Sequence, residues 1–305
     1  MADLSMSLRD AIAAHVPDGS VVAMSCALEP LIPFAAGHEL IRQLKRDLTL
    51  VGPISDMLFD QLIGAGCVAR VIAAWAGNVS EGLGHCYRRA AEHGVPRAIA
   101  IEDHSNFTMA LGLLAGALGA PYIPTTSLLG SDIARDHPTM RVLPSPLDGQ
   151  PNLLVPALRP DVAILHVQRA DAEGRAHVWG GLGICEEAAL AARGVIYTAE
   201  AIVPAEVILS DPNRVLAPSF KTLAVVESPG GAHPSPVQGY SNRDHAFYTD
   251  YHQRTRTAND FAAWLDEWVL GLPDRAAYLE HLGAERWRAL GVRQSRPAAP
   301  VDYGY

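Results

Sequence analysis

The sequence predicts an α/β protein with an open, mainly parallel sheet that is sandwiched by helices. Two observations predict it: strand-like apolar runs alternate with amphipathic helical segments, and these runs are apolar throughout instead of alternating with polar residues. Continuously apolar strands separated by helices of ~10–15 residues are typical of a parallel sheet covered on both faces. With 305 residues, 49% of them hydrophobic and 19% charged, the chain can build a substantial core.

The first half repeats a strand and a helix four times. The strand-like runs are GSVVAMS, DLTLVG, VARVIAAW and RAIAIED, and the helical patterns that follow them are PFAAGHELIRQLKR, SDMLFDQLIGAG, HCYRRAAEHG and NFTMALGLLAGALG. The preceding segment, MADLSMSLRDAIAAHV, carries charges and lacks a long apolar stretch. It therefore predicts an amphipathic helix and not a signal peptide, and we expect a cytoplasmic location.

The second half has a different pattern. DVAILHVQRAD and RAHVWG flank a turn-like segment at 171–174, which predicts a hairpin. EEAALAARG then predicts a helix, and VIYTAEAIV and TLAVVE predict two strands. We expect residues 1–290 to form one domain whose part 240–290 is helical, and the proline-rich residues 291–305 to form a loose tail.

Composition excludes several kinds of partner. A formal net charge of -9 and a pI near 5.7 argue against a nucleic-acid surface, which needs a basic excess. The apolar run from Met109 to Leu118 is shorter than the roughly 20 residues of a membrane span. We therefore expect no nucleic acid and no membrane among the partners, which leaves small molecules and protein.

Motif searches remove further classes of function. The chain has neither a G-x-x-x-x-G-K-[ST] phosphate loop nor a G-x-S-x-G nucleophile elbow. GAGCVA follows a helix and precedes a strand, the reverse of a dinucleotide-binding turn. The four cysteines form no C-x-x-C pair, and His233, His245 and His252 lack metal-ligand spacing, so we expect no metal site.

The stretch EDHSNFTMALGLLAGALGAPYIPTTSLLGSDI is the most unusual in the chain. Glu102, Asp103 and His104 stand side by side, and no further charged residue follows until Asp132. The two carboxylates could be catalytic, or they could serve the entry of a buried helix, with Ser105 or Asp103 as its cap. The residues alone leave these alternatives open.

Loops at strand carboxyl ends are the expected binding region, because open α/β sheets place their ligands there. The polar groups of these loops are the candidate substrate-binding residues: Ser25, Cys26, Asn78, Ser80, Glu81, Asp103, Asn106, Gln168, Arg169 and His233.

The chain resembles the A (alpha) subunits of class I coenzyme A transferases, most of all the glutaconate CoA-transferase type. The resemblance rests on DGSVVAMSCALEPLIPFAAGHELIRQLKRDLTLVG, on the EDHSNF stretch, on LRPDVAILHVQRADAEGRAHVWG and on VVESPGGAHPSPVQGY, and covers about residues 5–285. It implies the fold that these transferases share with ribose-5-phosphate isomerase. Members often carry Gly-Gly after the first strand, whereas this chain has Ser25 and Cys26 there.

The resemblance also implies a partner and a mechanism. These enzymes combine A and B halves, so we expect a hetero-oligomer with a B (beta) subunit, of two A and two B chains or larger. A glutamate of the B half attacks the acyl-CoA and becomes a glutamyl-CoA thioester, from which CoA passes to a small carboxylic acid. No permanently bound cofactor is expected, since coenzyme A enters as a substrate thioester.

Two alternative functions remain. The chain also resembles the A halves of ring-cleaving acyl-CoA hydrolases of steroid degradation, in which a carboxylate of the A half acts as a base. Glu102 would then be the first candidate for that base. The second alternative is a non-catalytic acyl-CoA binding module, since one fold can serve unrelated functions.

Overall fold

The structure, a computed structural model, describes residues 2–293. Its strands are β1 (Val21–Ala23), β2 (Leu48–Ile54), β3 (Val68–Trp75), β4 (Ala100–Asp103), β5 (Tyr122–Thr125), β6 (Arg141–Pro144), β7 (Pro151–Pro156), β8 (Val162–Ala170), β9 (Ala176–His177), β10 (Gly194–Ile202) and β11 (Thr222–Glu227).

The α-helices of the same residues are α1 (Leu8–His15), α2 (Phe34–Arg42), α3 (Asp56–Gly64), α4 (His85–His93), α5 (Asn106–Ala117), α6 (Asp132–Asp136), α7 (Cys185–Ala191), α8 (Ala205–Leu209), α9 (His245–Arg254), α10 (Ala258–Leu265), α11 (Arg275–Leu282) and α12 (Ala284–Leu290). Pro212–Arg214 and Ser219–Lys221 form 3-10 turns, and Asp266–Leu270 is a π-helical turn that continues α10.

The central sheet is mainly parallel, as the continuous apolar strands predict. Its order is β11-β10-β8-β1-β2-β3-β4, all parallel, and the short β9 pairs antiparallel with β8. The turn at 171–174 therefore closes a hairpin, as predicted. Because the seven strands run the same way, their carboxyl ends meet along one edge of the sheet.

Two apolar layers cover the two faces of this sheet. One contains Ile164, Phe34 and Trp264 and lies under helices α1 to α4 and the C-terminal helices. The other contains Val167 and Leu113 and lies under α5 and α7. Burial on both faces explains why these strands are apolar at most positions, on both faces, instead of at alternate ones.

A second, small antiparallel sheet was not predicted from the sequence. Its order is β5-β7-β6, and it packs on α5 over a small apolar cluster that contains Met140, Leu153 and Val155. The strands have only four to six residues, and β6 is exposed at every position. Short, exposed strands with prolines carry no periodic pattern, which explains why they were missed.

The C-terminal helices α9 to α12 agree with the helical pattern expected for 240–290, and α9 binds to the sheet domain through buried polar contacts. The hydroxyl of Tyr248 donates to Asp56 at 2.7 Å, and the hydroxyl of Tyr251 donates to Asp60 at 2.6 Å. Both carboxylates lie on α3 and are fully buried. These bonds fix α9 against α3, next to the carboxyl ends of β2 and β3.

The remaining predictions about chain organisation concern membranes and the tail. Among residues 2–293, no helix combines the length and apolar character that crossing a bilayer requires. The predicted loose tail, 291–305, falls outside the described residues except for 291–293. Within those three, the amide of Val292 donates to the carbonyl of Tyr240 at 3.1 Å.

Candidate active site

Glu102 is held in a buried cluster at the edge strand β4. Its Oε1 lies 3.5 Å from Nε2 of His104 and 3.8 Å from Nε2 of His137, and the two Nε2 atoms are 3.3 Å apart. Oε2 of Glu102 lies 3.7 Å from Nη1 of Arg70, whose side chain is half-exposed. The cluster therefore joins β3, β4 and the residue that follows α6.

The charge of Glu102 is stabilised by its neighbours. The His104 imidazole, together with the more distant His137 and Arg70, lowers the pKa of Glu102 against the opposing effect of burial. Burial lowers the pKa of His137, and the nearby His104 lowers it further. At neutral pH the carboxyl group is therefore ionised, and the His137 ring is uncharged.

The residues next to Glu102 have two kinds of position: some are exposed at the sheet edge, and one caps helix α5. Asp103 and Asn106 are exposed, so both can reach a ligand at this edge. Ser105 is the N-cap of α5. Its hydroxyl accepts a hydrogen bond from the backbone amide of Thr108 at 3.1 Å, and the hydroxyl of Thr108 accepts one from the backbone amide of Ser105. Helix entry is thus carried out by Ser105, which leaves Glu102 and Asp103 free of that role.

Ser25 and Cys26 follow β1 in a backbone of unusual conformation. Ser25, Leu28 and Leu31 all have positive φ, at 57°, 71° and 58°. Non-glycine residues rarely adopt this conformation, and such residues concentrate at functional sites. Both predicted side chains are buried, the Ser25 hydroxyl has no hydrogen-bond partner, and burial raises the pKa of the Cys26 thiol to about 12.

The glycine-containing loop 77–82 folds back onto α9. Asn78 is fully buried; its side chain accepts from the amides of Ser80 and Glu81 and donates to the carbonyl of Tyr248 at 2.9 Å. The carboxylate of Glu81 accepts from Thr249 at 2.6 Å. Asn78 therefore shapes the loop, whereas Ser80 and Glu81 are exposed at its surface.

Gln168 and Arg169 lie at the end of β8 and contact the hairpin strand. The amide of Gln168 is buried and donates to the carbonyl of Trp179 at 2.8 Å. The guanidinium of Arg169 lies over the Trp179 ring, 5.3 Å from its centre. A cation stacked on an aromatic face keeps its orientation, so Arg169 presents a fixed positive charge at this edge of the sheet.

The structure places His233 in the interior. Its Nε2 lies 3.0 Å from Asp244 and its Nδ1 lies 2.9 Å from the hydroxyl of Tyr278, and the ring is 2% exposed. Burial lowers the pKa of His233 to about 4. These contacts join the loop after β11 to the C-terminal helices. Direct contact between His233 and a substrate stays a prediction, and the burial of the ring does not support it.

One pair of functional groups was missed in the sequence. Nε2 of His166 lies 2.9 Å from Oε1 of Glu200, and Oε2 of that carboxylate accepts from the amide of Gly230 at 2.8 Å. Both side chains are buried, on β8 and β10 at the level of Cys26. Their positions within apolar strands were the available signal, since a buried ionisable group in such a strand needs a partner.

The predicted residues do not form one group: Asn78, Ser80 and Glu81 lie in the loop after β3 and His233 is buried after β11, while the other seven form two groups at the sheet edge. β1 and β4 are separated by β2 and β3, and three strand spacings put Ser25 about 14 Å from Glu102. Ser25, Cys26, Gln168 and Arg169 share the centre of the edge. Glu102, Asp103 and Asn106 share its outer end.

The arrangement has clear chemical limits. Glu102 is a buried carboxylate with one oxygen against two imidazoles, which suits proton transfer better than attack on a bulky thioester. Glu102, His104 and His137 also form the one group among the described residues whose atoms could together hold a metal ion, with ligand atoms within 4.8 Å of one another. This group was not predicted from the sequence.

Comparison with known proteins gives one consistent family. The family model described as Coenzyme A transferase matches residues 5–228. The chain is 40% identical over 274 residues to the A chain of 3-oxoadipate CoA-transferase of Pseudomonas knackmussii, covering 90% of this chain and 96% of that protein.

Glutaconate CoA-transferase of Acidaminococcus fermentans is similar in sequence and in structure. Its A chain is 33% identical over 297 residues, 92% of each chain. Its crystal structure matches with a TM-score of 0.90 over 95% of this chain and 96% of that one. A cholesterol ring-cleaving hydrolase IpdA subunit of Mycobacterium tuberculosis is 28% identical over 94% of this chain and 100% of that protein.

Proposed function

The chain belongs to the coenzyme A transferase family, and from that premise we propose that it is the A half of a hetero-oligomeric enzyme that moves CoA between an acyl-CoA and a carboxylic acid. The observation that carries the proposal is the match to the glutaconate CoA-transferase chain, which extends over almost the whole of both chains at a TM-score of 0.90. A match of this extent to an enzyme subunit favours catalysis over the binding module.

The proposed reaction uses a glutamate of the partner B subunit. Its carboxylate attacks the thioester carbonyl, the C–S bond breaks, and CoA leaves as a thiolate from an acyl-glutamyl anhydride. The thiolate then attacks the glutamyl carbonyl, which releases the acyl group as a carboxylate and leaves a glutamyl-CoA thioester. The acceptor acid reverses these two steps. Each tetrahedral intermediate needs donors at its oxyanion.

The burial of Glu102 supports placing the nucleophile on the partner. Glu102 is 7% exposed, and its Oε1 faces two imidazole rings. A nucleophilic carboxylate must instead reach the thioester carbonyl in line with its π orbital. We infer that this chain provides the binding edge of the sheet, whereas the B subunit provides the attacking group.

The substrate that we propose to test first is a short dicarboxylic acid. Two relatives of 40% and 33% identity that match over more than nine tenths of their length are named for 3-oxoadipate and glutaconate, and both acids carry a second carboxylate. Arg169, fixed over Trp179 at the strand ends, is the cation that we assign to this second carboxylate. Arg169→Lys should raise the KM for the acid, since Lys lacks the planar stacking of Arg.

We propose that the B subunit covers the outer face of α5 and the small sheet. Large apolar side chains are exposed there, each by 46% or more: Phe107, Leu118, Tyr122, Val142 and Leu143. Exposed apolar groups in this number mark an interaction surface. Residues 109–128, which carry no charged side chain, pass through this face in α5 and β5.

Assembly can be tested directly. The chain co-expressed with its B subunit should elute from size-exclusion chromatography as one complex, and Val142→Glu should separate the two chains without changing the melting temperature of this one. Leu44→Glu is the matched control for added charge, because Leu44 is also an exposed apolar residue but follows α2, on the other face of the sheet. Two independent monomers at micromolar concentration would contradict the proposed interface.

A ring-cleaving hydrolase is the second candidate, and the surroundings of Glu102 favour it specifically. The carboxylate is buried and ionised, so it can accept a proton, and its Oε1 faces two imidazoles through which that proton could leave. Its lowered pKa makes it a weaker base than a free glutamate, which is why the hydrolase stays the second candidate. If Glu102 accepts a proton in the reaction, Glu102→Gln should reduce kcat by about 10²–10⁴-fold. If the B-subunit glutamate is the nucleophile, the same variant should lose about tenfold or less, the contribution of one positioning contact.

The deciding experiment measures CoA exchange by the reconstituted pair. Succinyl-CoA or acetyl-CoA is offered as donor with 3-oxoadipate or glutaconate as acceptor, and new acyl-CoA is detected by mass spectrometry. Exchange that requires both chains supports the transferase. Hydrolysis of a cyclic diketone-like CoA thioester without exchange, abolished by Glu102→Gln, would favour the hydrolase instead.

A further inference from the structure

The cluster of Glu102, His104 and His137 resembles a metal site in composition, since two imidazoles and one carboxylate are a common set of ligands. All three side chains are buried, and their nearest nitrogen and oxygen atoms lie between 3.3 and 3.8 Å apart. A metal ion needs a lone pair on the ring nitrogen that faces it, so the question is whether each ring faces the cluster with a lone pair or with an N–H. The hydrogen bonds of the other ring nitrogen of each histidine answer it.

The His137 ring has its proton on Nε2. Its Nδ1 accepts hydrogen bonds from the backbone amides of Thr139 and Met140, at 3.2 and 3.1 Å. A nitrogen that accepts two N–H groups carries no proton, so in the neutral ring the proton is on Nε2. A histidine that binds a metal normally donates its other N–H to an acceptor, and here that nitrogen accepts. His137 therefore presents an N–H to the cluster, not a lone pair.

The His104 ring can have its proton on either nitrogen. Its Nδ1 faces the hydroxyl of Thr108 at 3.2 Å. That hydroxyl accepts from the amide of Ser105 at 2.9 Å and lies 3.2 Å from the Ser105 carbonyl. The hydroxyl hydrogen can point to that carbonyl, so that Thr108 accepts from Nδ1–H, or to Nδ1 itself. Both tautomers of His104 therefore keep a partner on the Thr108 side.

Both tautomers of His104 also have a partner on the cluster side. With the proton on Nδ1, the Nε2 lone pair of His104 faces the cluster and can accept from the Nε2–H of His137, 3.3 Å away. With the proton on Nε2, His104 presents an N–H to the ionised carboxylate of Glu102, 3.5 Å away. The ring can therefore exchange tautomers while Glu102 stays ionised.

Charged groups around the cluster keep its overall charge low. Arg70, from β3, faces Oε2 of Glu102 at 3.7 Å, and Asp103 and Arg141 act on His137 from β4 and β6. An arginine near the carboxylate and an uncharged His137 leave no excess negative charge that would attract a divalent cation. The electrostatic surroundings and the ring hydrogen bonds thus both argue against a bound divalent cation.

We propose that Glu102, His104 and His137 form a hydrogen-bonded unit and not a metal site, in which His137 is a fixed Nε2–H donor and His104 exchanges tautomers against Thr108. His104, His137 and Thr108 are positioning residues that act through Glu102. The unit applies to both candidate functions, because it concerns the hydrogen bonds around Glu102 and not the reaction that uses it.

The test is histidine-ring ¹⁵N solid-state NMR at pH 7 on the sedimented complex of the chain with its B subunit. His104→Gln and His137→Gln assign the two rings by difference. We expect His137 in the Nε2–H tautomer and His104 in both tautomers. Thr108→Val, which removes the acceptor for Nδ1–H, should shift His104 to the Nε2–H tautomer, whereas Thr108→Ser should leave both populated.

Zinc binding is measured on the same complex as the second readout. Added Zn²⁺ should leave both ring spectra unchanged and should not bind stoichiometrically. An Nδ1–H signal for His137 would overturn the proposal, and so would an unchanged His104 spectrum in Thr108→Val. Stoichiometric zinc that disappears in His137→Gln would establish the metal site in its place.

Discussion

Replacing Gly116 by alanine should destabilise the chain, whereas the same change at Gly112, one helical turn earlier, should be almost neutral. Both glycines face the segment 156–158 from α5. A Cβ at Gly116 would lie 2.1 Å from the backbone carbonyl oxygen of Leu158. One at Gly112 would lie 3.0 Å from the Leu158 side chain and 3.2 Å from the carbonyl oxygen of Pro156. The leucine side chain can rotate away and the Pro156 oxygen is already beyond the closest distance that real Cβ atoms reach, whereas the Leu158 oxygen is far inside it.

The magnitude follows from the distance that must be opened. The shortest contact that real Cβ atoms make is 3.0 Å, so at Gly116 the helix or the segment 156–158 must move by about 0.9 Å. Overpacking of this kind costs roughly 1–3 kcal/mol, and a backbone clash belongs at the upper end. Alanine recovers about 1 kcal/mol of helix propensity. The net loss in the free energy of unfolding is about 2 kcal/mol, or about 3 °C in melting temperature for a chain of this length.

Thermal and urea unfolding of the wild type and the two variants, followed by circular dichroism, tests this difference. Gly112→Ala should stay within about 1 kcal/mol of the wild type, because its propensity gain offsets a contact that can relax. A Gly116→Ala variant as stable as the wild type, or less affected than Gly112→Ala, would refute the close packing of α5 on the segment 156–158.

Three further predictions concern pH and the cleft. Burial raises the pKa of Asp56 to about 6, so its contribution to the free energy of unfolding is lost as pH rises from 4 to 6. In urea unfolding, that free energy should therefore change less with pH in Asp56→Asn than in the wild type, and an equal pH dependence in both would contradict a raised pKa. Burial lowers the pKa of His233 to about 4, so its contribution to the free energy of unfolding is lost as pH falls from 6.5 to 4. The difference in that free energy between wild type and His233→Gln should become smaller over this range. A constant difference would show that His233 does not titrate there. Ser80→Ala should raise the KM for acyl-CoA with an unchanged melting temperature, since the Ser80 side chain is exposed on the loop 77–82; unchanged steady-state kinetics would make Ser80 a surface residue only.

The central sheet was predictable because its strands are apolar on both faces. Runs such as VARVIAAW and DVAILHVQ are mostly apolar on both faces and largely buried, and the runs of the first half are each followed by a helix of suitable length. The strands β5, β6 and β7 were not predictable in the same way. They are short, and two of them are partly exposed, so their formation depends on packing against α5, which no local pattern records.

The candidate site was predictable only in part. Glu102 was found because a charged cluster at the end of an apolar strand is unusual, and Ser105 was found because capping residues have a local signature. The role of His137 depends on a return of the chain 35 residues later, by way of α6, which local spacing does not reveal. The burial of His233 depends in the same way on distant elements: Asp244, the N-cap of α9, and Tyr278, within α11, both contact its ring.

The most direct test of the proposed function is to locate the covalent intermediate. The complex of the chain with its B subunit is incubated with acyl-CoA, treated with borohydride, which reduces an enzyme-CoA thioester, and each chain is weighed intact and mapped by peptide mass spectrometry. We predict reduction at one glutamate of the B chain, none on this chain, and the same label in a Glu102→Gln complex. A label on this chain, or no label on either chain together with a complete loss of activity in Glu102→Gln, would contradict the transferase mechanism.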